Sequence, residues 1–119
     1  IEKYFPPQDS PNNSYYTLRA HQRLGDLYLT SGDFELAESY YLELVLLGPE
    51  EQHFRGFGLA GLANIYHRQH EPKNVVQELV SLSEIIDQID LKVQMEIIDR
   101  LDEDLRKTFE EQRAFATYQ

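Results

Sequence analysis

Apolar and polar positions alternate along this chain with the period of an α-helix. His21, Leu24, Gly25 and Tyr28 stand at i, i+3, i+4 and i+7, the spacing of one helix face. Ser14 is placed to cap that helix, which is predicted over residues 14–31. Ser31-Gly32-Asp33 stops it, with Gly32 expected in the left-handed conformation and Asp33 expected to cap the next helix. That second helix is predicted over 34–47, with Ala37, Tyr41 and Leu44 inward and Gly48-Pro49 at its end. After a polar break at 50–53 comes a third helix, about 54–70. Glu71-Pro72 closes it and opens a fourth, about 73–86, because proline is tolerated in a first helical turn. Val75, Val76, Leu79, Leu82 and Ile86 form the stripe of this fourth helix.

The two ends read differently. Residues 1–14 hold Pro6, Pro7 and Pro11 among Asp9, Ser10, Asn12 and Asn13, a composition that opposes regular structure and predicts an arm or linker. From 90 to 119 the stripe is Leu91, Val93, Ile97, Ile98, Leu101, Leu105 and Phe109, flanked by charges and free of glycine and proline. One helix of about 25 residues, roughly 37 Å long, is expected there as a cap on the end of the fold. A break near Glu103 is the alternative, though no glycine turn marks it.

The same pattern occurs twice, 38 residues apart. The first copy, 18–51, carries His21, Leu24, Gly25, Tyr28, Gly32, Ala37, Tyr41 and Pro49. The second, 56–89, carries Leu59, Leu62, Ala63, Tyr66, His70, Val75 and Leu79. This resembles the tetratricopeptide repeat, with His21 in place of the usual Trp and Tyr41 in place of the usual Phe. The resemblance implies an all-α fold, a TPR-like superhelix of two helix-turn-helix repeats over 15–89 plus a long capping helix, five helices in all. It implies about four residues more than the unit of roughly 34, placed between the repeats. It also implies a structural core of Leu24, Gly25, Tyr28, Gly32, Ala37, Tyr41, Pro49, Leu62, Ala63, Tyr66 and Leu79. Gly25 and Ala63 hold equivalent places, where small residues let helix backbones approach. A glycine inside a helix costs about 1 kcal/mol against alanine, so Gly25 needs such a packing reason.

Composition narrows the partners. The net charge is −10, from 21 acidic and 11 basic residues. Nucleic acid is disfavoured, since cationic side chains must replace its counterions, and so is an anionic membrane surface. There is no cysteine, which removes disulfides, thiolate metal sites and cysteine nucleophiles and fits a reducing, cytoplasmic setting. No apolar run reaches the ~18 residues of a membrane span. The first residue is Ile1, not Met, which reads as a piece of a longer protein. No nucleophile–base pair, phosphate loop or cofactor motif is present, so neither an enzyme nor a bound cofactor is expected. His67, His70 and Glu71 are close in sequence but are read as groove and turn residues, and no metal is expected. Asp99, Asp102, Glu103 and Asp104 read as a solvated face paired with Arg100, Arg106 and Lys107.

The resemblance further implies a concave surface lined by a second stripe of the first helix of each repeat. In the first copy this is Arg19, Gln22, Asp26 and Leu29, with Thr30. In the second it is Phe57, Ala60, Asn64, His67 and Arg68. An amide such as Asn64 donates and accepts at once, which suits a peptide backbone. The expected function is a non-catalytic scaffold or adaptor domain holding a peptide or protein partner. The alternatives are a structural segment of a larger α-solenoid and the regulatory domain of a bacterial peptide sensor or transcription regulator. The basic clamp that some family members use for acidic chaperone tails is not matched, because Asp26, Gly61 and Gln22 stand at its positions. A weak homodimer through the end beside the first helix is also expected.

Overall fold

The computed structural model describes residues 11–46 and 52–118, with side chains from 16 to 46 and from 52 to 113. The elements are α1 (Pro11–Ser31), α2 (Phe34–Val45), α3 (Gln52–Arg68), α4 (Pro72–Ile85), α5 (Leu91–Arg100) and α6 (Glu103–Tyr118). A single 3-10 turn, Ile86–Gln88, lies between α4 and α5. No strand occurs among the described residues, so the expected all-α class is found. The arm predicted over 1–14 lies mostly outside the described residues, but its last part is helical: α1 starts at Pro11 rather than at Ser14. Proline fits there because the first turn of a helix has no use for its missing N–H. Of the polar break expected at 50–53, Gln52 and His53 are already part of α3, while the rest of it and Pro49 fall outside the described residues.

The two helix-turn-helix pairs end their first helices in the same way. At Gly32 (φ 86°) the Asp33 N–H donates to the Tyr28 carbonyl and the Gly32 N–H to that of Leu29. At His70 (φ 60°) the Glu71 N–H donates to Tyr66 and the His70 N–H to His67. Both are Schellman closures, which satisfy the last carbonyls of a helix. Their residues are related one-to-one by the offset of 38 seen in the sequence. Asp33 then caps α2 by accepting from the Leu36 N–H at 3.5 Å, while α4 relies on Pro72 in its first turn.

Helix α3 is the centre of the fold. It packs against α1, α2, α4 and α5, and everything from Gly56 to Ile65 is buried. Two hydrophobic clusters meet across it. One joins Leu18, Leu29, Ala37, Tyr41 and Leu44 to Phe54, Leu62 and Ile65. The other joins Leu59, Ala60 and Ala63 to the inner faces of α4, α5 and α6. Of the core expected from sequence, Gly25, Ala37, Tyr41, Leu62, Ala63 and Leu79 are buried. Leu24, Tyr28 and Tyr66 are half-buried, and Gly32 is an exposed turn.

Tyr41 explains the glycines. Its ring is 1% exposed and lies against bare backbone on two helices. A Cβ on Gly25 would stand 2.7 Å from the ring's Cε1, and one on Gly61 would run into the ring as well. The phenol donates to Asp26 Oδ1 at 2.5 Å, so the buried hydroxyl has its partner. Close approach is therefore the reason for Gly25, as its helix-interior position required.

The C-terminal region departs from expectation. It is not one capping helix: the chain turns extended at Leu101 (ψ 141°), and α6 restarts at Glu103. α5 packs on α3, α6 reaches α3 and α4, and α5 and α6 scarcely touch each other. The break therefore does not make a third packed hairpin either. There are six α-helices among the described residues, not five.

Gly61→Ala should lower stability despite the better helix former, because overpacking of about 1–3 kcal/mol exceeds the roughly 1 kcal/mol gained in propensity. Thermal denaturation measures it. In a Tyr41→Leu background the same substitution should be harmless, and equal loss in both backgrounds would show that the ring is not the obstacle.

Candidate functional site

Helices α1 and α5 stand on either side of α3 and form the walls of a groove. One polar chain crosses it. Asp26 of α1 accepts from the Tyr41 hydroxyl through Oδ1 and pairs with the Arg100 guanidinium at 2.6 Å through Oδ2. The same guanidinium lies 4.9 Å from the centre of the Phe57 ring, a cation–π contact. Burial first, then the hydrogen bond and charge of Asp26, push the Tyr41 phenol well above its ordinary value. It is therefore a neutral donor throughout the physiological range.

The crossing divides the groove into two clefts. The smaller, about 200 Å³, holds Asp26, Leu29, Thr30, Asn64 and Arg68 of the expected stripe, over Tyr41 and Gly61. Here the chain has filled its own groove. Asn64 is 3% exposed; its Nδ2 donates to the Arg100 carbonyl and its Oδ1 accepts from the Asp102 N–H, each at 2.8 Å. Arg68 forks onto both carboxylate oxygens of Asp102, at 3.1 and 2.8 Å. The amide that suits a peptide backbone thus holds the backbone on both sides of the α5–α6 break. As ligand contacts for an outside peptide, Asn64 and Arg68 are replaced by the corner they grip. The acidic face changes accordingly: Asp102 pairs with Arg68, Arg100 pairs with Asp26, and Arg106 donates to the carbonyls of Asp99 and Leu101.

The larger cleft, about 500 Å³, lies on the other side of Arg100 and is open. Arg19 and Gln22 line it from α1, and His53, Phe54 and Phe57 from α3. α5 supplies Val93, Glu96, Asp99 and Arg100. Such a volume is usual for a ligand site. So Arg19, Gln22 and Phe57 come together here as expected, but the other six lining residues were not foreseen from sequence. Val93, Glu96 and Asp99 were assigned to a cap. Their helical spacing beside the Ile97 stripe was the available signal that α5 repeats the role of α1. Of the remaining stripe, Ala60 is fully buried and lines neither cleft. His67 lies 4.0 Å from Asp104 and faces a separate cleft of about 410 Å³ with His70, Glu71, Pro72 and Val75. Among the described residues no group of three or more His, Asp or Glu is placed to hold a metal ion.

On the other side of α3, the Tyr66 hydroxyl donates to Glu38 Oε2 at 2.8 Å, joining α3 to α2. Burial, then Glu38, raises the Tyr66 phenol above its ordinary value. Burial, and then the charge of Glu38, also raises the Glu78 carboxyl on α4. No helix among the described residues is long and apolar enough to cross a membrane. Compared with protein-family models, curated proteins and solved structures, the chain matches none.

Two outcomes follow from these contacts. Asn64→Leu strips both backbone bonds from the corner and should destabilise the fold by about 1–3 kcal/mol, with faster hydrogen exchange at the Asp102 amide than at the amides within α5. For Glu78, a raised folded value means that the folded state holds its proton more tightly than the unfolded chain. Its unfavourable contribution is absent below the ordinary glutamate range, grows as pH rises to the raised value, and is full above it. Glu78→Gln should therefore raise the melting temperature near neutral pH and have little effect at acid pH. A variant that destabilises at neutral pH would contradict the repulsion from Glu38.

Proposed function

We propose that this chain is a non-catalytic protein-interaction domain of TPR-like architecture, which holds a peptide or protein partner in the open cleft between α1, α3 and α5. The cleft carries this reading. It has three helical walls, an aromatic and aliphatic lining from Phe57 and Val93, and polar groups on both sides. That mixture suits recognition of a segment of chain, with apolar pockets for side chains and polar groups for backbone. Both walls are packed on α3, which leaves them little to reorganise on binding.

A second reading rests on the apolar residues left on the outside. Leu27, Leu46, Leu91 and Met95 are each at least 60% exposed. Burying such side chains against a second surface is favourable, and a weak homodimer through an outer face is the second reading.

Site-specific photo-crosslinking separates the two. A benzophenone side chain in place of Arg19, in the cleft, should capture a partner protein, and Val93→Asp should abolish that capture. The same probe in place of Leu27, on the outside, should capture nothing. Adducts from Leu27 alone, or adducts of twice the chain's own mass, would favour the outer face and the homodimer.

A further inference from the structure

Resting on the reading of this cleft as a protein-binding surface, we infer that its ligand is an extended, basic peptide segment: one backbone amide pairs with Gln22, an apolar side chain lies on Phe57 and Val93, and a Lys or Arg lies against Glu96 and Asp99. The first observation is Gln22. It is only 6% exposed, lines the cleft, and makes no hydrogen bond within the described residues. Its amide is not sealed off, since the buried side-chain polar atom without a partner among the described residues is Arg106 Nε, and it stays open to the cleft it lines. Asn64 supplies the comparison within the same molecule. It too is a buried amide beside the groove, and it spends both its donor and its acceptor on a stretch of backbone. Gln22 has the same inventory, one acceptor and two N–H donors, directed to a space where the chain provides nothing. An extended peptide backbone supplies the matching carbonyl and N–H together.

The second observation is charge. Arg100 is already neutralised by Asp26 and covered by Phe57, and Arg19 is engaged in an interaction of its own. Glu96 and Asp99, three apart on α5, therefore face outward from the same wall, exposed and without an ion-pair partner among the described residues. Side chains at that spacing are neighbours on a helix surface, so one ligand cation reaches both. The whole chain, at −10, adds an attractive field for a basic segment and a repulsive one for an acidic segment.

The test uses the full chain and three sets of short fluorescein-labelled peptides, read by anisotropy. In the first set Arg or Lys is placed near a Leu or Phe. In the second Glu replaces the base, and in the third Gln replaces it. The first set should bind, and the second should not. Affinity should fall at least about tenfold from 0.05 to about 0.5 M salt, because exposed charges are screened. Glu96→Lys with Asp99→Lys should weaken binding by at least about tenfold and shift preference to the Glu peptides. Gln22→Leu should weaken binding about tenfold while melting at the same or a higher temperature, since the amide it removes makes no hydrogen bond within the described residues. A Gln22→Leu protein that is less stable and binds normally would make the amide structural. Equal binding of all three sets would overturn the charge assignment, and binding of none would overturn the inference. Cleft-specific capture from position 19 alongside that last result would leave the protein-binding function standing and reject only this ligand chemistry.

Discussion

The Tyr41 ring holds this fold together. It lies against glycine backbone on α1 and on α3, and its hydroxyl reaches Asp26. One side chain therefore fixes the separation of three helices. α3 depends on it most. Three glycines within Gln52–Arg68 make a poor isolated helix, at about 1 kcal/mol each against alanine. Gly58 meets the Tyr41 carbonyl and Leu44, Gly61 meets the ring, and Gly56 meets Ile97 of α5. Gly58 and Gly61 are where α2 comes closest, and Gly56 is where α5 does. The helix is sustained by packing on nearly all sides rather than by its own propensity.

The two copies of the pattern have diverged where they meet the groove. Asp26 and Asn64 occupy equivalent places, 38 residues apart. Both reach α5, but by different chemistry. Asp26 takes the Arg100 side chain, while Asn64 takes the backbone on either side of the break. The acid needs a cation, and the amide needs a carbonyl and an N–H. Together they bind the end of α5 as a groove binds a peptide. That end of the groove is closed by the chain itself, and the open part is displaced toward the start of α5.

What the sequence made legible was local. Gly32 and Asp33 announce a turn and a cap because their reasons, a positive φ and a short acceptor, are satisfied within a few residues. The same logic placed Pro72 at the start of α4. His70 adopts the conformation of Gly32 without its chemistry, so Glu71-Pro72 beside it and its position 38 residues on were what pointed to the turn. The break at Leu101 stood only as the alternative to one helix, because a tertiary contact makes it. Without glycine or proline, the only local sign was Asp102 followed by Glu103 and Asp104, the acidic first turn of a helix. Asn64, far away in sequence, holds the bend. The cleft was only partly legible for the same reason. α1 and α3 carry a repeated pattern, whereas the α5 wall is recruited by Ile97 settling into the space over Gly56.

Both walls of the cleft are anchored to the same floor, which leaves its width to the Arg100–Asp26 contact that spans it. The Arg100–Asp26 pair is about one-third exposed at each side chain. At such a site an ion pair adds little to stability, because water screens it and two side chains must be held still. Its geometric effect is larger than its energy. Asp26 is held by the Tyr41 hydroxyl and Arg100 by the Phe57 ring, so neither partner is free to find the other at a different separation. The buried network around Tyr41 therefore continues into the groove as a spacer, and the same residue that sets the distance between α1 and α3 also sets, through Asp26, the distance between α1 and α5.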